Sequence, residues 1–291
     1  MFSISLIIPT LNAANELPAL ITAIAKQTIA PDEIFVVDSS SDDNTVSIAR
    51  QYDSVQVLHV DRNCFNHGTT RHKALLKSKG DLILFLTQDA LPLSDRYIEN
   101  LVRPFSDKTV ALTSGRQIAK DSSRRFEQLV RTFNYPSISC VRSQKDLSTL
   151  GIKTFFASDV CSAYRRSAYL QCGGFERPCN TNEDMLMAAA FIHDGWKVAY
   201  AADAEVSHSH DYTFAQQYNR NKEIGFFLEK HASQLVCGSE LAEGKRLSKY
   251  VVSSLLRERN LSEICVFSLD CLARITGNRR GRFLAKKESF H

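Results

Sequence analysis

Residues 81–92, DLILFLTQDALP, place an unbroken apolar run directly before three oxygen-bearing side chains, Thr87, Gln88 and Asp89. A continuous apolar run of this length reads as a strand buried on both faces, the pattern of a parallel sheet covered by helices. The polar tip then falls at the carboxyl end of the strand, where open α/β sheets collect their ligands. The surrounding sequence repeats the arrangement. SISLIIP (3–9), EIFVVD (33–38) and SVQVLHV (54–60) read as three further strands. Between them, NELPALITAIAKQ carries Leu17, Leu20, Ile21 and Ile24 at the spacing of one buried helical face, and DDNTVSIARQY and HGTTRHKALLKSK supply two more helices, the last ended by Gly80. Strands alternating with helices over short links predict parallel strands joined by right-handed crossovers, an α/β fold with helices on both faces of the sheet.

Beyond Arg103 the pattern loosens. TVALTSGRQ (109–117) and CSAYRR (161–166) read as strands, FEQLVRTF as a short helix in a loop-rich stretch, and TNEDMLMAAAFIHDG (181–195) as a helix. WKVAYA and AEVSHSH read as two strands, and the chain is helical from Phe214. The economical partition is a catalytic domain over residues 1–212 and a helical C-terminal region over residues 213–291.

Composition narrows the function classes. A net charge of +4 with dispersed Lys and Arg gives no electrostatic footprint for nucleic acid. Eight cysteines are scattered without a C-x-x-C pair, which favours reduced thiols over a disulfide framework or zinc site. The start MFSISLIIPT lacks the basic and long apolar regions of a secretory signal, and no run approaches the roughly 18 apolar residues of a spanning helix. The expectation is a cytoplasmic protein, at most peripheral on the inner face of the cytoplasmic membrane. Arg279, Arg280, Arg282, Lys286 and Lys287 crowd the C-terminus, where a packed helix with a solvated tail and a membrane-surface anchor are equal readings.

The chemistry-bearing residues gather at strand tips. Asp38, at the end of its strand, is placed to accept an N–H from a ligand base, whereas Asp42 and Asp43 suit helix capping. NCFNHGTTRHKA offers a glycine turn, hydroxyls and Arg71 for a phosphate, though a capped helix with a surface arginine explains it equally and the P-loop spacing is absent. Asp89 suits a hard divalent cation, which takes one or two carboxylates with substrate phosphates; its alternative is a turn cap before Pro92. Glu183 and Asp184 open a helix that is apolar nearly all round and hence buried, which turns its acidic end into a cavity, with Asn182 at the N-cap. His208 and His210 lie two apart on the last predicted strand, and one of them joining Asp89 on a shared cation is the modest reading.

In order along the chain, IIPTLNAANEL, VVDSSSDDNT, FNHGTTRHKAL, FLTQDALP, SGRQ, FNYP, CSAYRRSAYLQCGGF and NEDMLMAAAFIHDGWKVAYAADAEVSHSH resemble the family 2 glycosyltransferases, and within them the bacterial rhamnosyltransferases of O-antigen and related polysaccharide assembly. The resemblance covers roughly residues 3 to 230. It implies an A-type glycosyltransferase fold and an inverting transfer of L-rhamnose from dTDP-β-L-rhamnose. The implied acceptor is a saccharide on a polyprenyl diphosphate, which brings peripheral membrane contact. By motif, Pro9, Thr10, Asn12, Glu16, Asp38 and Ser40 would hold the nucleoside, and His67, Gly68 and Arg71 would lie beside the nucleotide. Asp89 falls on the last position of the D-x-D metal motif for Mg²⁺ or Mn²⁺, with Thr87 standing in place of its first Asp and Gln88 between. Asp184 falls on the aspartate of the E-D motif, the catalytic base, and His208 on a further metal ligand. Two rivals remain in view. A sugar nucleotidyltransferase would carry a Gly-rich basic loop after its first strand, where this chain has PTLNAANEL; a non-catalytic nucleotide-sugar-binding scaffold would tolerate loss of Asp184.

Overall fold

The computed structural model describes residues 2–235 and 240–288. Parts of the helical reading of 213–291, and the thiol reading of Cys237, therefore lie outside the described residues. The elements in order are β1 (Ile4–Thr10), α1 (Leu17–Ala25), β2 (Glu33–Asp38), α2 (Thr45–Ala49), β3 (Val55–His59), α3 (His67–Lys77), β4 (Leu82–Leu86), β5 (Leu91–Pro92) and α4 (Tyr97–Val102). They continue with β6 (Val110–Ile118), α5 (Arg125–Asn134), β7 (Cys140–Arg142), α6 (Leu147–Leu150), β8 (Cys161–Arg165), α7 (Arg166–Gln171), α8 (Glu183–His193) and β9 (Lys197–Ser207). The chain then runs through α9 (Phe214–Lys230), α10 (Ala232–Leu235), α11 (Glu240–Arg257) and α12 (Leu261–Glu288).

Two compact units result, one of residues 1–117, 136–146 and 154–208, the other of residues 118–135, 147–153 and 209–291. The first holds the sheet, ordered β3-β2-β1-β4-β8-β6-β9-β5 with β7 beside β9. β1 to β4 are parallel, as the strand and helix alternation predicts. Every residue of β4 is buried, which is why its sequence shows no polar alternation. Leu17, Leu20, Ile21 and Ile24 of α1 are buried as their spacing requires.

The all-parallel expectation fails past β4, because β8 runs antiparallel to both β4 and β6. This reversal serves the site. Cys161 pairs with Leu86, so the residues entering β8 sit beside the carboxyl tip of β4. The two strands expected at 196–210 are one, β9; its midpoint Asp203 faces outward to Arg103 at 2.9 Å and so does not break the strand. β9 stops at Ser207, and His208 and His210 lie past its end, outside the period-two alternation.

In the second unit α5, α11 and α12 share an apolar core of Phe126, Leu129, Val130, Val251, Leu255 and Phe267. α9 and α12 touch backbone to backbone: a Cβ at Gly277 or Gly281 would collide with the carbonyl of Tyr218 or Lys222. Among the described residues the cysteines are unbridged, and no helix is long and apolar enough to cross a membrane.

Candidate active site

The first two strand tips are locked together in register. Thr10 pairs with Asp38, and the buried Asp38 carboxylate accepts from Ser41 N–H at 3.0 Å, from Ser41 Oγ and, at 3.4 Å, from Thr10 Oγ1. Asn12 takes a positive φ of 52°, donates its N–H to Ser41 Oγ and accepts from Asp42 N–H at 2.9 Å; Ser40 also has a positive φ, 59°. Side chains that hold two loops in left-handed backbone mark a specified surface, since such conformations persist only where their surroundings determine them. Asp43 behaves as a turn residue, accepting from Thr45 and from Ala14 N–H. Pro9 sits partly buried at the end of β1 and Glu16 is exposed ahead of α1, with no capping bond from its side chain. Ser40 Oγ donates to the Val60 carbonyl and accepts from Arg62 N–H.

The tip of β4 has divided labour. Gln88 is spent on the first loop: its Oε1 accepts from Leu11 N–H at 2.8 Å and its Nε2 donates to Leu11 carbonyl at 3.2 Å. Thr87 N–H donates to the Val160 carbonyl, and its buried hydroxyl has no hydrogen-bond partner. Asp89 faces His208, with Oδ2 3.4 Å from Nε2. The pairing of Leu91 with Ser207 in the sheet brings these two residues together. A carboxylate oxygen and an imidazole nitrogen on one side of a partly open tip form part of a donor set that fits a metal ion.

The second cluster is buried. Arg71 is 4% exposed, which excludes the surface arginine that helix capping alone would leave. Its Nη1 donates to Glu183 Oε1 at 2.7 Å and lies 2.9 Å from His67 Nδ1, while its Nε is 3.8 Å from Asp159 Oδ2. Gly68 is required by contact: a Cβ there would stand 2.6 Å from the Glu176 carbonyl, and Gly68 N–H donates to Cys179 carbonyl. Asn66 caps α3 through Thr69 N–H and also accepts from Cys179 N–H, so the start of α3 is tied to the loop that leads into α8. Asn182 is at the N-cap of α8 as expected, but in the left-handed conformation with no capping bond from its side chain.

Asp184 keeps part of its surface open. Its Oδ1 accepts from Met185 N–H at 2.7 Å and its Oδ2 from Asp159 N–H at 3.1 Å. Burial, then the neighbouring carboxylates of Glu183 and Asp159, push its pKa well above the ordinary carboxylate value, against the pull of those two peptide donors. Burial raises Glu183 and Asp159 as well, with Arg71 opposing. One guanidinium cannot balance three adjacent carboxylates, so the cluster favours holding a proton.

Sequence reasoning missed Asp159, whose carboxylate accepts from Ser162 Oγ and Tyr164 Oη at 2.7 Å each. The signal available was a lone acid immediately before a buried strand. It also missed the junction formed by three consecutive residues. Ser158 Oγ meets Gln117 at 2.9 Å, Asp159 N–H holds Asp184, and Val160 carbonyl holds Thr87. The β4 tip and the α8 carboxylate are thus anchored on adjacent positions of one loop, on the same side of the sheet.

The sequence profile described as "Glycosyl transferase family 2" matches residues 5–173. This chain belongs to that family. The family 2 enzyme is 42% identical over 87% of its length to the O-antigen chain rhamnosyltransferase RfbN of Salmonella typhimurium, covering 82% of that protein. It is 39% identical over 88% of its length to WbaN of Salmonella anatum, an O-antigen chain rhamnosyltransferase, again covering 82%. Its fold is the A-type glycosyltransferase fold, shared with the mannosyltransferase PcManGT of Pyrobaculum calidifontis, solved with GDP-Man and Mn²⁺. That match has a TM-score of 0.62 at 17% identity, over 99% of this chain and 87% of the other. Staphylococcus aureus TarS 1–349, solved with UDP-GlcNAc, matches at TM-score 0.57 and 16% identity, over 99% and 91%.

Proposed function

We propose that this glycosyltransferase transfers L-rhamnose, with inversion, from dTDP-β-L-rhamnose to a saccharide carried on a polyprenyl diphosphate, as an O-antigen or related polysaccharide is assembled. The observation that supports the reading is the adjacency just described: Thr87, two residues before the Asp89 that faces His208, and Asp184 are bonded to neighbouring residues of one loop. The rhamnose assignment rests on the likeness to the two Salmonella rhamnosyltransferases.

Pro9, Thr10, Asn12, Glu16, Asp38 and Ser40 surround the nucleoside, with Asp38 offering a remaining lone pair to the base. His67, Gly68, Thr87 and Gln88 shape the floor beneath the nucleotide, and Arg71 acts from below through Glu183. Asp89 and His208 would hold Mg²⁺ or Mn²⁺, which would supply positive charge for the diphosphate. Two unit charges about 4 Å apart repel by roughly 4 kcal/mol at an effective dielectric near 20, so Asp89 has no reason to face a diphosphate unaided. When bound, the cation neutralises charge on the departing nucleoside diphosphate. Asp184 accepts the proton of the acceptor hydroxyl as its oxygen bonds to the anomeric carbon and the bond to phosphate breaks on the opposite face. A single displacement of this kind turns the β-linked donor into an α-L-rhamnoside without a covalent sugar intermediate. Residues 1–212 form the catalytic domain in this reading, residues 213–291 a helical region, and the enzyme works in the cytoplasm at the inner membrane face.

The test is a donor screen by thermal shift with dTDP-, UDP- and GDP-sugars plus Mn²⁺, followed by NMR of the product's anomeric configuration. Stabilisation by dTDP-rhamnose and an α-linked product are expected; preference for another donor, or retention, overturns the assignment.

A further inference from the structure

Gln117 is 2% exposed, and a buried amide must have its hydrogen bonds met. Its Nε2 is 2.9 Å from Ser158 Oγ and its Oε1 is 2.9 Å from His208 Nδ1. An amide oxygen only accepts, so this contact requires the proton on Nδ1. A neutral imidazole carries one proton. Nε2, the nitrogen facing Asp89 at 3.4 Å, is then the one that carries the lone pair a cation takes. Without such a partner the ring is free to turn, and Nε2 can take the proton and face Asp89 as a donor.

We propose that Gln117 is a positioning residue that fixes the tautomer and orientation of His208 for divalent-cation binding, with Ser158 holding the Gln117 amide in register. The inference rests on the reading of Asp89 and His208 as cation ligands and gives a role to Gln117, the last residue of the SGRQ stretch. Ser158 precedes Asp159, whose N–H holds Asp184, so the support of the cation ligand and that of the base share one loop. Gln117 can reach both because β6 is antiparallel to β8, which brings the end of β6 to the start of β8.

Two readouts separate this role from a packing role. In nitrogen-15 spectra of the full-length protein labelled at histidine, His208 is identified by its loss in H208N and is expected as the Nδ1–H tautomer. Mn²⁺ titration followed by electron paramagnetic resonance, without any nucleotide, is expected to show binding weakened about tenfold or more in Q117L, the scale on which outer partners of metal-bound histidines act. Q117E, which restores an acceptor for Nδ1–H, should recover at least the parent affinity. S158A should lose affinity in the same direction by a smaller factor, and it carries the test if Q117L does not fold. An Nε2–H tautomer in the parent, or Mn²⁺ affinity within twofold of the parent in both Q117L and S158A, overturns the proposal. Mn²⁺ binding unchanged in H208N overturns it together with the cation site, whereas weakened binding in H208N with unchanged binding in Q117L and S158A sinks the role of Gln117 alone.

Discussion

The tip of β4 and the start of α8 both offer acids to the same side of the sheet, and they handle charge in opposite ways. At the tip, Asp89 is partly open and faces the His208 imidazole at 3.4 Å. At α8, Arg71 is sealed among Glu183, Asp159 and Asp184, and the surplus of acid raises proton affinity within the protein. The contrast separates two tasks that use the same side chain. In the proposed function, the acid that binds a metal stays partly solvated, and the one that takes a proton is desolvated beside other acids.

Removing the proton acceptor is the harshest way to probe this contrast. D184N should lower kcat by about 10²- to 10⁴-fold, the usual range for a general base, with nucleotide affinity by calorimetry near that of the parent. Substantial residual turnover would remove Asp184 from the role of base. Next in size is stability. R71M leaves buried carboxylates uncompensated and should cost about 3–5 kcal/mol in urea denaturation. D89A should cost less than about 0.5 kcal/mol while abolishing the Mn²⁺-dependent part of nucleotide binding. Equal losses in the two variants would erase the distinction between the regions.

The smallest effect is a shift in pH dependence. As the proposed base, Asp184 acts only when ionised, so activity should rise with pH through a limb above the ordinary carboxylate range. E183Q should move that limb downward, because Glu183 is among the causes of the raised value. The stability sign is opposite. A carboxyl group whose pKa is raised on folding stabilises the fold while protonated, and that contribution is lost as pH rises from the unfolded value through the folded one. D184N should therefore gain stability relative to the parent as pH rises, by urea titration at several pH values.

Local pattern carried the sequence reading a fixed distance. β1 to β4 were legible because buried strands and one-faced helices write their periods into neighbouring residues, and the polar tips were legible because each interrupts an apolar run. Pairing between distant segments leaves no such mark. Nothing near Cys161 says that β8 runs against β4, and the Ala-rich centre of β9 with its Asp203 looks like a break until Arg103 is placed beside it. Arg71 stood between a phosphate ligand and a surface cation because its burial depends on Glu183, far along the chain. Asp159 went unmarked, and Gln117, though part of SGRQ, went without a role, for the same reason: each meets its partner, Asp184 or His208, only in the folded chain.

The Gln88 amide grips both peptide groups of Leu11, so the first loop and the β4 tip form one stiff platform. The entropy of ordering these two segments is surrendered when the chain folds rather than when the donor arrives. Binding energy from the nucleoside is then available to hold the sugar against its acceptor.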